Sequence, residues 1–352
     1  MPRITAVHPV LPAHRHEQAD IAEALVGLMT SGPGEAELLR RVHAACGVRT
    51  RHLARPLADY TRRSGFDAAQ QAYPELATGL GVRALEGALD RAGVGPADVG
   101  LLLFTTVTGV GAPSVDATVA ARAGLTPHVL RWPSFGLGCA AGAGGLALAA
   151  DWARSRPDGV AVVLAVELCS LTVRTEHPER ADVVAAGLFG DGAAAAVVVG
   201  DDRAAGHPGH DVLAARSHLY PEETAALGFE LSAAGFRIVL SPRMPGLVRD
   251  RLAPDLAAWL RDRGEDVPAD WVVHSGGPAV IDAYEDGLGL ARGRLDPSRQ
   301  TLAEVGNLSS AAVLHTLAAG WDRPHGSGDR TVLAAVGPGI SAQSLVLGWS
   351  AS

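Results

Sequence analysis

Continuous apolar runs alternate along this chain with segments whose apolar residues recur at helical spacing. Residues 99–107 form a continuous apolar run, which is typical of a strand buried on both faces, and Val160–Leu168 predicts another buried strand. Helical spacing predicts helices over Gln18–Met29 and residues 73–92, and Gly93 ends the second of them. This alternation of strands and helices predicts an α/β fold.

The remaining pattern divides the chain into two halves. Strands are predicted at 4–11, 271–274, 331–336 and 344–349, helices at 35–45, 115–123, 146–154 and 247–263, and a glycine turn at 188–192 that leads into a strand ending at 199. A polar stretch containing Gly and Pro at 200–210 is the predicted boundary, which gives halves of residues 1–205 and 206–352. Each half has a glycine turn followed by a helix of small residues, which predicts an internal duplication.

Composition narrows the chemistry that this fold can carry. Aromatic residues make up 5% of the 352 residues and glycine accounts for 42 of them, so the core must consist mainly of Ala, Val and Leu. The formal net charge is −8 with no basic block, which argues against nucleic-acid binding. All 30 basic residues are arginines. Without lysine, a Walker-type phosphate loop, a Schiff-base lysine and pyridoxal chemistry are excluded.

The cysteines and the apolar segments bear on the compartment. Cys46, Cys139 and Cys169 lie far apart, without the spacing of a zinc site or the even count of a disulfide framework, which indicates a reducing environment. The first 16 residues have no apolar core of signal-peptide length, and no later stretch has the length and hydrophobicity of a membrane span. We therefore expect a soluble, cytoplasmic protein.

Cys139 is the first candidate for chemistry. It lies in the glycine-rich stretch 136–145, directly before the predicted helix of small residues. At the first turn of a helix, free N–H groups and the macrodipole favour an anion, so we expect a thiolate with a pKa below that of free cysteine. The alternative is a small buried cysteine in a glycine-rich core.

Two polar residues of the second half are the candidates for its partners. His274 ends a predicted strand and Asn307 begins a predicted helix, so both side chains are expected to point into a cleft. Each alone has a structural alternative, since a histidine at a strand end is often a packing residue and an asparagine at a helix start is often a cap. The joint spacing of Cys139, His274 and Asn307 favours a shared site.

This spacing resembles that of the type III polyketide synthases, the chalcone-synthase-like branch of the thiolase fold. The likeness rests on Gly-x-Gly-Cys139, on His274 before Gly-Gly-Pro and on Gly-Asn307-x-Ser-Ser, and it extends to the segments 188–192 and 337–339. It implies a five-layered αβαβα fold built from two duplicated halves and a homodimer. It also implies coenzyme A thioesters as substrates, with no metal and no other cofactor.

The resemblance also implies roles for individual residues. Cys139 would carry the acyl chain, and His274 and Asn307 would complete the triad and stabilise the enolate formed when malonyl-CoA loses carbon dioxide. Phe189 and Phe236 match the two phenylalanines that stand between the coenzyme A tunnel and the cavity. Burial of an unpaired carboxylate near them is costly, which would favour its loss.

The resemblance also implies positions that shape the cavity or bind coenzyme A without taking part in the reaction. The cavity would be shaped by Ala112, Cys169, Thr172, Leu227 and Ser309, for which loop and core packing is the alternative, and coenzyme A would be bound near Arg41 and Ala279. Where plant members carry lysines near the coenzyme A phosphates, this chain has Leu38 and Ala45. Ala112 replaces a methionine that reaches across the dimer interface in plant members, which suggests space for a long acyl chain.

These departures favour a bacterial member that makes alkylresorcinols, alkylresorcylic acids or alkylpyrones from a fatty acyl-CoA starter. One alternative is a 1,3,6,8-tetrahydroxynaphthalene-type synthase that uses malonyl-CoA alone. A second is a condensing enzyme like the ketoacyl carrier-protein synthases III, although their His-Gln-Ala-Asn run and the sequence after His274 differ. A thiolase-like binding protein without activity is a third.

A nicotinamide-dependent dehydrogenase is a further alternative from another class. Gly136-x-Gly138-x-x-Ala141 fits the dinucleotide pattern formally, and Asp158 lies about 20 residues further on. The motif follows 132–135, Trp-Pro-Ser-Phe, rather than a clean strand, and it places a cysteine where a pyrophosphate would approach. Both features argue against this function.

Overall fold

The predicted α/β fold is confirmed in the computed structural model, which describes residues 1–60, 66–175, 178–232, 235–265, 268 and 270–351. The strands are β1 Arg3–Val10, β2 His14–Glu17, β3 Thr50–Leu53, β4 Val99–Thr105, β5 Leu130–Ser134, β6 Val160–Leu168, β7 Asp191–Val199, β8 Gly209–Leu219, β9 Leu227–Ser232, β10 Gly235–Leu240, β11 Asp270–Val273, β12 Arg330–Gly337 and β13 Ser341–Ser350. The helices are α1 Gln18–Met29, α2 Pro33–Ala45, α3 Leu57–Tyr60, α4 Phe66–Ala92, α5 Val115–Arg122, α6 Ala141–Arg154, α7 Arg180–Leu188, α8 Asp201–Ala204, α9 Met244–Leu247, α10 Ala253–Asp262, α11 Pro278–Leu288, α12 Asp296–Val305 and α13 Ala312–Gly320.

Nine strands form one mixed sheet in the order β11-β12-β13-β8-β1-β7-β6-β4-β5. The pairs β4·β5, β4·β6 and β11·β12 are parallel, and the other pairs are antiparallel. Strands β8 and β1 join the two parts of the sheet through a short ladder, in which Arg3 and Ile4 lie opposite Asp211 and His210. The hairpins β2–β3 and β9–β10 stand apart from this sheet.

Helices cover the sheet in separate layers, as alternate side chains of its strands show. In β6, Leu164 packs into a core with α4 residues such as Leu85, whereas its neighbour Val163 packs into another core with Leu146 of α6. That second core also takes in Leu333 of β12, so α6 and α13 lie between the two parts of the sheet. Helices α10, α11 and α12 cover the outer face of the second part. The result is the predicted five-layered, thiolase-like order.

Small residues let the two central helices approach each other closely. A Cβ added to Gly142 of α6 would lie 2.2 Å from the carbonyl oxygen of Ser310 and 2.9 Å from Cγ1 of Val313. Two residues further along the same helix, a Cβ on Gly144 would meet Cγ of Gln343 at 3.5 Å, an ordinary contact. Gly142 is therefore a point of close approach between the first half of the chain and the second.

The bounds of several elements agree with those predicted from the hydrophobic pattern. Gln18–Met29 and Val160–Leu168 have the predicted bounds, whereas the helix predicted at 73–92 begins at Phe66. The view that no clean strand precedes the cysteine turn is wrong, because β5 pairs in parallel with β4. Pro133 in β5 hides this strand from the pattern, since proline is tolerated at a sheet edge and not in its interior.

The helix predicted at 247–263 is divided in the structure. It consists of α9, a π-helical turn at Val248–Leu252 and α10. The predicted division between residues 205 and 206 lies between α8 and β8 and stays a prediction, because strands from both sides join one sheet. Within the described ranges, no helix has the length and hydrophobicity needed to cross a membrane.

Candidate active site

A tight glycine turn places Cys139 between β5 and α6. Gly136 and Gly138 adopt φ angles of +106° and +50°, and Gly138–Ala140 forms a 3-10 turn directly before α6. A Cβ on Gly138 would lie 2.5 Å from Cδ of Pro338, and a Cβ on Gly337 would lie 2.2 Å from the carbonyl oxygen of Leu137. Glycine is required at these positions because the cysteine turn rests directly on the end of β12.

His274 and Asn307 are fixed by their own backbones. His274 directly follows β11, and its N–H donates to the carbonyl oxygen of Ala334 at 2.8 Å. The Asn307 N–H donates to the carbonyl of Leu188 at 2.8 Å, and the Asn307 carbonyl accepts from Gly190 at 3.0 Å. Both side chains are buried. Their positions are therefore set by main-chain pairing and not by flexible loops.

An unbroken series of contacts connects the three predicted residues. The Cys139 thiol donates to Oγ of Ser309 at an S···O distance of 3.7 Å, and the Ser309 N–H donates to Oδ1 of Asn307 at 2.9 Å. Nδ2 of Asn307 donates to the carbonyl oxygen of Gly276 at 3.4 Å, and the Gly276 N–H donates to the carbonyl oxygen of His274 at 2.9 Å. The structure thus connects Cys139 to Asn307, which lies 168 positions further along the sequence, through side-chain contacts, and it reaches His274 through its main-chain carbonyl.

Ser309 holds a backbone conformation that most residues avoid. Its φ is +49°, in the left-handed region, where a residue other than glycine is uncommon and points to a functional constraint. The turn Ser309–Ala311 contacts the cysteine turn and precedes α13. Ser309 is thereby aimed at both Cys139 and Asn307.

Burial disfavours a lone charge on either Cys139 or His274. It raises the pKa of the Cys139 thiol to about 12, with a smaller raising effect of the Glu167 carboxylate and an opposing effect of the hydrogen bond to Ser309. Burial likewise lowers the pKa of His274 to about 4, and its Nδ1 has no hydrogen-bond partner among the described residues. The expected pKa below that of free cysteine does not follow from the start of the helix. A pKa of Cys139 below that of free cysteine would require the His274 imidazolium and the Cys139 thiolate to stabilise each other.

A cavity opens beside Ser309. It encloses about 490 Å³ of space free of protein atoms, part of it open to solvent. The predicted residues Phe189, Phe236, Cys169, Thr172 and Ser309 all line it. Its other lining residues are Val107, Thr108, Val173, Arg174, Asp182, Ala185, Ala186, Phe229 and Ile238.

The two predicted gating phenylalanines are held in different ways. Phe189 forms an isolated parallel bridge with Asn307, so its main chain is paired with that of Asn307. Phe236 is the centre of an aromatic cluster, with ring centroids at 5.4 Å from Phe66 and at 6.3 Å from both Phe135 and Phe229. Phe135 follows β5, so this cluster connects the edge of the sheet to the cavity.

Two predicted cavity residues are not among those lining this cavity. Ala112 is exposed on the loop between β4 and α5. Leu227 packs partly buried against the core of the second half, and its carbonyl accepts from the Gly339 N–H at 2.9 Å. The positions expected near coenzyme A, Arg41 and Ala279, are both exposed on α2 and α11.

Sequence reasoning missed three charged residues of the site, of which Asp182 and Arg174 line the cavity. The sequence indicates no catalytic role for Glu167, and its buried carboxylate accepts from Oγ of Ser310 at 2.5 Å and from the Val107 N–H at 3.1 Å. Arg174 received no prediction, although it lines the cavity. No local pattern around Arg174 marks it as a cavity residue. Across the described ranges, no group of three or more His, Cys, Asp or Glu side chains could hold a metal ion.

Comparisons with known proteins agree with this geometry. The N-terminal domain model of the chalcone and stilbene synthases matches residues 6–203, and the C-terminal domain model matches residues 211–349. A 1,3,6,8-tetrahydroxynaphthalene synthase of Streptomyces peucetius subsp. caesius is 46% identical over 98% of this chain and 93% of its own length.

Solved structures show the same relationship. The crystal structure of 1,3,6,8-tetrahydroxynaphthalene synthase from Streptomyces coelicolor A3(2), a bacterial type III polyketide synthase, superposes with a TM-score of 0.93 at 30% identity, covering 99% of this chain and 100% of the other. Germicidin synthase from Streptomyces coelicolor gives 0.90 at 27% identity, covering 99% of each chain. This chain therefore belongs to the chalcone and stilbene synthase family and is a type III polyketide synthase, an enzyme that forms carbon–carbon bonds from coenzyme A thioesters.

Proposed function

We propose that this enzyme uses malonyl-CoA both as starter and as extender and builds a 1,3,6,8-tetrahydroxynaphthalene-type product on Cys139. The observation that carries the chemistry is the series of contacts from Cys139 through Ser309 and Asn307 to His274, beside one cavity. The choice of starter is supported by the likeness to a synthase of that name over nearly the whole chain. Members of this family need no cofactor beyond their thioester substrates.

The triad supports a cycle of acyl transfer, decarboxylation and condensation. The Cys139 sulfur attacks the starter carbonyl, and the thiol of coenzyme A leaves with the proton that His274 took from Sγ. A second malonyl-CoA then loses carbon dioxide, and the bonding electrons pass to an enolate oxygen held by His274 and by Nδ2 of Asn307. The enolate carbon attacks the Cys139 thioester, which releases the thiolate and lengthens the chain by two carbons.

The contacts of Asn307 and His274 fit these roles. The Ser309 N–H occupies Oδ1 of Asn307, so the amide presents its N–H₂ group toward Gly276 and the site. Neutral His274 has an unpartnered Nδ1 in the part of the chain described, so no described hydrogen bond competes at this atom with the proton transfer that we propose. A buried donor aimed at an oxyanion is worth about 3 to 4 kcal/mol of transition-state stabilisation.

We expect removal of the His274 imidazole to lower the reactivity of the Cys139 thiol toward alkylation. In a His274→Ala variant the thiolate has no counterion, so the raised pKa of about 12 governs, and alkylation of Cys139 at pH 7 should fall at least about tenfold. The variant's rate should then climb about tenfold per pH unit up to pH 10, whereas the wild type should level off near neutrality. Iodoacetamide labelling followed by peptide mass spectrometry measures both profiles. A wild-type rate that climbs in the same way would refute the ion pair.

We further propose that the enzyme is a homodimer formed at the free edge of β5. Leu130, Trp132 and Phe135 are 49%, 58% and 57% exposed, and β5 pairs on one side only. Exposed apolar side chains along an unpaired edge mark a protein interface, and a second copy offers the same surface. Pro133 has no N–H to give, so we expect side chains to form most of the contact.

A Trp132→Glu variant tests this interface. Burying a carboxylate against the matching surface of a second copy is costly, so we expect the dimer to dissociate into folded monomers. Light scattering after gel filtration measures the mass of both proteins. Leu148→Glu serves as the control, since Leu148 is comparably exposed at 53% on α6. A wild type that is already monomeric, or a dimeric Trp132 variant, would rule this interface out.

A fatty acyl-CoA starter, as the sequence suggested, is the second candidate. Val107, Val173, Phe229 and Ile238 give the cavity apolar walls that suit an alkyl chain. The deciding experiment is mass spectrometry of the products from malonyl-CoA alone and from malonyl-CoA with a series of acyl-CoA starters. A pentaketide naphthalene from malonyl-CoA alone supports the first candidate. No product from malonyl-CoA alone, with turnover of long acyl-CoA, would establish the second.

A further inference from the structure

Arg174 places a positive charge in the cavity wall that no role described so far requires. It follows the turn Cys169–Thr172 after β6, lines the cavity, and its side chain is 14% exposed. Its Nε and Nη1 atoms are shielded from solvent and have no hydrogen-bond partner among the described residues. Two nitrogen donors of the guanidinium are therefore removed from water without gaining a hydrogen bond from the described residues.

One described carboxylate lies within ion-pair distance but does not satisfy these donors. Oδ2 of Asp182 is 3.7 Å from Nη1 of Arg174, beyond hydrogen-bond distance. The same oxygen accepts the Glu179 N–H at 2.9 Å and thereby caps the start of α7. Asp182 is thus held by its own helix. It balances the charge of Arg174 while leaving the hydrogen-bonding capacity of the guanidinium unused.

Unused donors in a largely apolar cavity indicate a ligand that brings oxygen atoms. Phe229, Phe236 and Ile238 line the same space and cannot accept a hydrogen bond from a guanidinium. A buried donor without a partner costs free energy, which a bound carboxylate would recover. The planar guanidinium matches a carboxylate with two parallel hydrogen bonds, which a neutral acyl chain cannot provide.

We propose that Arg174 is a specificity-determining residue that recognises the free carboxylate of a malonyl starter bound to Cys139. This inference rests on the proposed use of malonyl-CoA as starter. Ser309, 3.7 Å from the Cys139 sulfur, and Arg174 line one cavity, so an acyl group on that sulfur extends into the space that Arg174 faces. Arg174 selects starters with an anionic end and holds the carboxylate of the loaded malonyl group.

The test compares the loading of two starters that differ by this carboxylate. Wild type, Arg174→Gln and Arg174→Lys are each mixed with malonyl-CoA or acetyl-CoA, and intact-protein mass spectrometry follows the acylation of Cys139 with time. Malonyl-enzyme and acetyl-enzyme differ by the mass of carbon dioxide, so loading with and without decarboxylation is resolved. Arg237→Gln is the matched control, because Arg237 is an exposed arginine paired with Glu230 and Glu179.

In Arg174→Gln we expect malonyl loading to fall roughly 10- to 100-fold, the effect of losing hydrogen bonds to a charged group. Acetyl loading should stay within about twofold, and a larger share of the remaining malonyl-enzyme should lose carbon dioxide. Arg174→Lys should recover part of the malonyl rate because it keeps the charge. Arg237→Gln should change neither rate by more than about twofold.

Three outcomes would overturn the inference. Equal loss of malonyl and acetyl loading in Arg174→Gln would show a purely structural role. Unchanged rates of malonyl and acetyl loading in Arg174→Gln, with malonyl loaded by the wild type, would refute recognition by Arg174 and leave malonyl priming intact. A wild type that loads acetyl but never malonyl would refute both this inference and the proposed starter.

Discussion

Replacing Cys139 by alanine is expected to lower polyketide formation by at least about 1,000-fold, because it removes the thiol proposed to carry the acyl chain, and a serine hydroxyl such as that of Ser309 is a much weaker nucleophile than a thiolate. Its sulfur makes one described side-chain hydrogen bond, with Ser309, so its loss should leave the fold intact. Product is measured by mass spectrometry, and stability by thermal unfolding.

Cys46→Ala is the matched control for this experiment. Cys46 is 6% exposed in the core of the second half, where its thiol donates to the Val42 carbonyl at 3.2 Å. We expect Cys46→Ala to lose about 1 kcal/mol of stability and to keep its activity. If Cys139→Ala still forms product, the nucleophile has been assigned to the wrong residue.

Replacing Gly142 by alanine is expected to destabilise the enzyme by at least about 3 kcal/mol. The added Cβ would lie 2.2 Å from the carbonyl oxygen of Ser310. Because this oxygen belongs to the main chain, a change of side-chain rotamer cannot relieve the overlap. Helices α6 and α13 must therefore separate, and the same shift would pull Cys139 away from Ser309. We expect both the free energy of unfolding and the condensation rate to fall in urea titrations and product assays.

Gly144→Ala is the matched control, because it has the same effect on helix propensity as Gly142→Ala without the close contact to the main chain. Alanine at position 144 meets Cγ of Gln343 at 3.5 Å, and in a helix it is favoured over glycine by about 1 kcal/mol. We expect this variant to be as stable as the wild type or slightly more so. If Gly142→Ala is equally stable, the stability of the enzyme does not depend on the close approach of α6 to the turn before α13.

The sequence allowed the local elements and the family to be predicted, because both depend on patterns within short segments. The run Val160–Leu168 needs two buried faces wherever it lies, and the motifs around Cys139, His274 and Asn307 each fit within a few residues. Family membership then supplied the layered fold, which no periodicity in this chain could have specified.

The wall of the cavity was harder to predict because it is assembled from distant segments. Arg174 and Asp182 reach it through a turn and a helix cap, and nothing in their local sequence shows which way they face. β5 was missed for a related reason, since Pro133 breaks the strand pattern at a position that only an edge tolerates. Burial, which the sequence does not show, raises the pKa of Cys139, so the start of a helix alone does not give the low pKa expected from the sequence.

The contact between α6 and the turn before α13 also bears on how the enzyme is made. On the ribosome, Cys139 emerges long before His274 and Asn307, so a growing polypeptide carries an ordinary cysteine with no imidazole or carboxamide beside it. The last quarter of the chain must arrive and dock against Gly142 before the sulfur gains its partners. We therefore expect nascent chains to be protected from premature acylation by the order of synthesis itself.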